Sequence, residues 1–219
     1  MQQNINKKSN STLVRQVAPV RLTYFLIYKP YGMLSQFTKE GENKTLAELY
    51  SFPKDVYPVG RLDTDSEGLL LLTNDKKLNH YLLHPTYKHT RSYLAQVDGD
   101  ITEEAVKQLK AGVSITVDGK TYKTLPAGAW KVGAPENIQE RVPPIRVRKA
   151  IPTSWVKLDL VEGKNHQVRK MTAKVGFPTL RLIRIAIEAL DLTGLKPGDV
   201  RELTKETIFK GLKIAPTGI

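Results

Sequence analysis

Gly60-Arg61-Leu62-Asp63-Thr64-Asp65-Ser66-Glu67-Gly68-Leu69-Leu70-Leu71-Leu72-Thr73-Asn74-Asp75 is the stretch on which the reading of this chain turns. Asp63, Asp65 and Glu67 crowd together between two glycines, in a chain whose net charge is +12. The acidic turn feeds an apolar strand, Leu69 to Thr73, and Asn74-Asp75 signals the next turn. One reading is local: Asp and Ser side chains bond their own backbone and shape the turn. The other is chemical, since acids at a strand entrance can act on a substrate. A paired-carboxylate glycosidase site is a further possibility, although no second acid partner is evident elsewhere.

Upstream, Tyr24 to Tyr28 reads as a strand stopped by Lys29-Pro30-Tyr31-Gly32, and Lys44 to Tyr50 as a short helix. Downstream come a helix from Lys76 to His84 ended by Pro85 and a strand from Arg91 to Val97. A helix from Glu103 to Ala111 follows, with Thr102 as its cap and Gly112 just past its end. Ser114 to Val117 and Lys120 to Tyr122 form a hairpin turning at Asp118-Gly119 in type I′ geometry. Residues 124–150, with four prolines and two glycines, read as an irregular loop or arm. Thr153 to Val161 is a strand, and Gln167 to Val175 a helix with Val168, Met171 and Val175 on one side. Short β-like runs close the chain. Strands mixed with helices, without a regular βαβα rhythm, predict an α+β fold with a mixed, mainly antiparallel sheet.

The chain has 219 residues, 40% hydrophobic and 26% charged, which excludes a disordered or fibrous protein and suits one domain or two lobes. It has no cysteine, which excludes a disulfide scaffold, a thiolate zinc site and a Cys nucleophile. No apolar run approaches the ~20 residues of a membrane span. A soluble cytoplasmic protein is expected. Lys and Arg number 34 against 22 Asp and Glu. The excess lies in residues 1–23 and in 141–184, where Arg141, Arg146, Arg148, Lys149, Lys157, Lys164, Arg169, Lys170, Lys174, Arg181 and Arg184 face only Asp159 and Glu162. Such concentration is the footprint of a polyanion partner, against the plainer reading of a solvated basic face. Residues 1–22 lack an apolar segment of a secretory signal and read as a flexible basic tail, although composition alone leaves a transit peptide open.

Several other matches fail on context. Gly119-Lys120-Thr121 lacks the earlier glycine of a phosphate loop and sits on a hairpin. His80 and His84 have the spacing of a metal pair, but Tyr81 stands where a metalloprotease has glutamate and no cluster completes the site. No dinucleotide-binding glycine fingerprint is present. No metal and no cofactor are expected.

Read whole, Gly60 to Asp63 with Glu67 to Asp75 resembles the signature of the bacterial ribosomal pseudouridine synthases of the small-subunit-A type. Four further segments match that family in order: Lys29-Pro30-Tyr31-Gly32; Arg91-Ser92-Tyr93 through Val97 and Gly99; Glu162-Gly163-Lys164-Asn165-His166-Gln167-Val168-Arg169-Lys170-Met171; and Gly198 through Arg201-Glu202-Leu203-Thr204. The resemblance covers about residues 24–206. It implies a two-lobed catalytic domain over 23–219, with a basic cleft around Asp63 and without the extra N-terminal module, resembling ribosomal protein S-four, that many members carry. The segments 124–129, 143–146 and 151–155 are similar to a large-subunit branch of the family, implying 23S ribosomal RNA as the partner. No obligate protein partner, no membrane and a monomer are expected.

The same resemblance implies roles. Asp63 matches the aspartate required to turn uridine into pseudouridine, a reaction that breaks N1–C1′ and re-forms the link as C5–C1′ without a cofactor. A carboxylate, ionised at neutral pH, can attack the sugar, attack the ring or remove the 2′ proton. Arg169 matches the basic residue paired with that aspartate, able to hold it by paired hydrogen bonds. Tyr93 matches the tyrosine expected to stack on uracil. Arg61 is expected to help hold the flipped-out nucleotide, Leu180 to lie against the base, and Lys29, Lys164, Lys170, Arg181 and Arg184 to meet phosphates. Where relatives often have Asn, Arg and Arg, this chain has Tyr28, His166 and Lys170. The competing reading is a non-catalytic RNA-binding or ribosome-assembly protein on the same fold.

Overall fold

The computed structural model describes residues 21–145, 151–215 and 219. Most of the expected N-terminal tail and the basic cluster Arg146, Arg148 and Lys149 therefore lie outside the described residues. The elements run β1 (Tyr24–Lys29), β2 (Tyr57–Pro58), β3 (Glu67–Thr73), α1 (Lys76–Leu83), β4 (Arg91–Asp98), α2 (Glu103–Ala111), β5 (Ser114–Val117), β6 (Lys120–Lys123) and β7 (Gly128–Val132). They continue with β8 (Thr153–Leu160), α3 (Gln167–Lys174), β9 (Thr179–Ile187), β10 (Leu190–Asp191), β11 (Val200–Leu203) and α4 (Lys205–Gly211).

Local chemistry explains most boundaries. The Asp75 carboxylate accepts from the backbone N–H groups of Lys77 and Leu78 and starts α1. Thr102 Oγ1 accepts from Ala105 N and starts α2, whose first turn carries Glu103 and Glu104. Asp118 and Gly119, at φ 49° and 74°, make the left-handed pair that a type I′ hairpin requires. Every residue of β1 and β3 is buried, as expected of strands covered on both faces.

Three expectations need correction. The helix expected over Lys44 to Tyr50 is a single 3-10 turn, Leu46–Glu48, behind a capping box at Thr45. The irregular arm over 124–150 contains β7, which pairs antiparallel with β8 from Gly128↔Asp159 to Val132↔Trp155. The closing short runs conceal β9, nine residues long and interior to the sheet, and the helix α4 after it. Arg181 and Arg184 interrupt the apolar pattern of β9.

Nine strands form one mixed sheet in the order β11-β1-β3-β9-β4-β8-β7, with β10 on β9 and β2 on β3, and β5 and β6 pair as a separate hairpin. Every pairing is antiparallel except β3 with β9, joined only through Glu67↔Ile183 and Gly68↔Arg184. One core packs α2, α3 and the β5–β6 hairpin on β4, β8 and β9. Two others cover the faces of β1 and β3, one beneath α1 and α4. The short parallel pairing of β3 with β9 is the seam between the strands that carry the first core and those that carry the other two.

The seam is stapled by side chains. Arg181 Nε and Nη2 donate to Glu67 Oε2 and Oε1 at 2.7 and 2.9 Å, with both residues buried. Arg184 Nε donates to Leu69 O at 2.8 Å. Gly68 is required here: its φ is +110°, and a Cβ would lie 2.2 Å from Arg184 O.

Candidate active site

The acidic loop enters β3 at this seam. Its entry is fixed from below, because Ser35 Oγ donates to Leu62 O at 2.8 Å and accepts from Leu62 N at 3.0 Å. Gly32 N donates to Thr64 O and Ser66 N to Asp63 O, closing the turn on the Lys29-Pro30-Tyr31-Gly32 segment. Asp63 is left at the wall of a cleft of about 580 Å³, with Arg61, Tyr93, Leu125, Glu162, Lys164, His166 and Arg184 among its lining residues.

The opposite wall is the loop before α3, itself braced. Glu162 Oε1 accepts from Gln167 Nε2 at 2.6 Å and from Leu125 N at 2.9 Å, and its Oε2 accepts from the Tyr122 hydroxyl. Lys164 N donates to Gln167 Oε1 at 2.8 Å, and the Lys164 ammonium lies 4.8 Å from the Tyr122 ring centre. From this loop His166 Nδ1 reaches Asp63 Oδ2 at 3.1 Å.

That contact corrects the expected pairing of Asp63 with Arg169. Arg169 Nη2 instead donates to Asp65 O at 2.8 Å and lies 3.2 Å from Asp65 Oδ2. His166 precedes α3 and Arg169 sits one turn inside it, so the two face successive acids of the loop rather than the same one. Tyr93 is on β4, half-buried, opposite Arg184 of β9. The side-chain donors of Asp63, Asp65 and His166 all lie within 4.8 Å of one another. They are a group of metal-ligand types among the described residues.

The remaining expected contacts divide by burial. Arg61 and Lys164 are exposed at the cleft, and Lys170, half-buried, donates to Asn165 Oδ1 at 3.2 Å. Leu180 is half-buried at the start of β9, outside the cleft lining. Lys29, Arg181 and Arg184, expected to meet phosphates, are only 0%, 5% and 4% exposed, and Lys29 and Arg181 are engaged by interior partners. Lys29 Nζ donates to Met33 O at 2.7 Å, and burial pushes its pKa down to about 8 against the pull of Glu67, Asp65 and Asp63. Arg184 lines the cleft from beneath, and its Nη2 is buried without a hydrogen-bond partner. The Tyr28 hydroxyl, also unpartnered, is pushed up to about 12 by burial and by Glu67.

Sequence reasoning missed Ser35, Glu162 and Tyr122 as braces and His166 as the partner of Asp63. Glu162 and His166 carried a signal, the one as the first residue of a matched segment and the other as a departure inside it.

The family model for RNA pseudouridylate synthase matches residues 23–174, and the chain belongs to that family. The ribosomal large subunit pseudouridine synthase E of Vibrio vulnificus is 41% identical over 201 residues, covering 92% of this chain and 83% of the relative. Its namesake in Xanthomonas campestris is 46% identical over 178 residues, covering 80% and 92%. The large subunit pseudouridine synthase B of Bacillus subtilis is 34% identical over 210 residues, covering 95% and 78%. A crystal structure of a pseudouridylate synthase superposes with a TM-score of 0.69 at 26% identity, covering 87% of this chain and 74% of that one. No helix among the described residues is long and apolar enough to cross a membrane.

Proposed function

We propose that this chain isomerises uridine to pseudouridine in the RNA of the large ribosomal subunit, with Asp63 as the catalytic carboxylate. The observation that carries the reading is the state of the two acids in the cleft. Glu162 is occupied by Tyr122, Leu125 and Gln167, whereas Asp63 keeps its side chain 36% exposed to the cleft, with Tyr93 also in the lining. The pairing with relatives named for the large subunit supports the choice of RNA.

Uridine and pseudouridine are isomers, so the chemistry needs no oxidant or reductant. The N1–C1′ bond breaks, the base turns, C5–C1′ forms, the C5 hydrogen leaves as a proton and N1 gains one. A base must leave its stack to reach a carboxylate in the wall of a cleft. Tyr93 offers a ring for the extruded uracil, and Arg61 and Lys164 offer charge to the flanking phosphates at the rim. Arg169 acts through Asp65, fixing the acidic loop rather than the reacting carboxylate. Mapping pseudouridines in a strain lacking the gene tests the substrate. Loss of a large-subunit pseudouridine, restored by the wild-type gene and not by Asp63→Asn, is expected; an unchanged map would overturn the reading.

A further inference from the structure

We infer that His166 is a positioning residue for the reaction: its Nδ1–H donor holds the Asp63 carboxylate in its working orientation. The inference rests on the reading of Asp63 as the catalytic acid. Four observations converge on it. His166 Nδ1 lies 3.1 Å from Asp63 Oδ2, across the cleft that both residues line. Arg169, the obvious alternative, is engaged with the main-chain and side-chain oxygens of Asp65. His166 occupies the cap position of α3 at φ 50° and ψ 31°, a left-handed conformation uncommon for a residue with a Cβ. Yet its side chain makes no capping bond, so the imidazole that accompanies this backbone is not spent on the helix and stands against Asp63. The loop bearing it is pinned by Glu162, Gln167 and Tyr122, which fixes the imidazole before substrate arrives.

The pair stands at contact distance without hydrogen-bond geometry, and the chemistry assigned to His166 is the hydrogen bond that a small turn of the ring would make, not proton transfer to substrate. An Nδ1–H donates to a carboxylate whether the ring is neutral in that tautomer or charged. A carboxylate swinging freely about its χ angles samples reactive geometries less often, and misplacement of a reacting group by a fraction of an ångström lowers the rate rather than the affinity.

The test separates this donor from the backbone role of the same residue. Asparagine carries an N–H donor on the same atom position as Nδ1 and tolerates left-handed backbone; glycine fits that backbone best and has no donor. On saturating ribosomal RNA, His166→Gly is expected to lose about tenfold or more in kcat with KM within about twofold. His166→Ala, a second deletion, falls with it, and His166→Asn recovers to within about threefold of wild type. If glycine matches or exceeds asparagine, His166 matters only for its backbone and the inference fails. A loss confined to KM would make His166 a phosphate contact and overturn it likewise. Asp63→Asn is assayed alongside: if it keeps turnover, the reading of Asp63 fails; if it is dead while His166→Gly keeps full kcat, only the role of His166 fails.

Discussion

Arg181 and Glu67 form a doubly hydrogen-bonded ion pair with 5% and 2% exposure, so neither charge has water to fall back on. Arg181→Met should therefore cost about 3–5 kcal/mol in urea unfolding, because Glu67 is left buried and uncompensated. The double variant Glu67→Gln/Arg181→Met should recover much of that loss; equal instability of the single and double variants would show that the pair is not the cause. Lys29 yields a second prediction. Its pKa is held at about 8, below the ordinary 10.5, by burial. Below pH 8 the amine is charged in folded and unfolded chains alike, and the burial penalty is felt in full. Between the two values the unfolded chain binds the proton that the folded chain has released, so stability from this group rises with pH. Unfolding free energy of wild type relative to Lys29→Met should thus increase from about pH 7.5 to about pH 9.5; a flat difference would mean that Lys29 stays charged in the fold. At this scale the sequence shows residue types and order, which make Asp63 a candidate and no more. It could not show that His166 and Arg169, one helical turn apart, divide two neighbouring acids between them, because that depends on where α3 sits on the sheet.

The acidic loop is brought to the cleft because β3 and β9 meet for only two residues and then part. Gly68 permits that contact, since its φ of +110° and the 2.2 Å approach of a would-be Cβ to Arg184 O both exclude a side chain. Gly68→Ala should destabilise the protein by at least about 2 kcal/mol and depress turnover further than any shift in RNA affinity explains, by prising the seam under Asp63. Thermal melts and steady-state kinetics on the same preparation check it, and wild-type behaviour would mean that the seam is slack. Elements with local signals were readable from the chain: α1 and α2 through Asp75 and Thr102, and the β5–β6 hairpin through Asp118-Gly119. β9 was not readable as a long interior strand. Its arginines make sense only with Glu67, which is 114 residues away in the chain.

Across the whole molecule, a net charge of +12 makes RNA affinity an ionic-strength phenomenon. Each phosphate neutralised releases counterions, so the logarithm of affinity should fall steeply and linearly with the logarithm of salt, by roughly 0.7–0.9 per contact. Charge reversal at exposed Arg61 or Lys164 should flatten the slope by about one contact, whereas Arg181→Met, being interior, should leave it unchanged in folded protein. An affinity indifferent to salt would remove the basic surface from RNA recognition. The α+β architecture and its mainly antiparallel sheet were legible from the order of elements and matched segments. The seam between β3 and β9, which places the cleft, depends on long-range pairing that no local pattern encodes. Asp63 stands at the centre of that arrangement, and release of tritium from RNA labelled at uridine C5 measures its part most directly. With Asp63→Asn, which keeps shape but removes charge, release should be lost while RNA binding stays close to wild type. If the variant retained a tenth of the wild-type rate, Asp63 would not be the catalytic carboxylate.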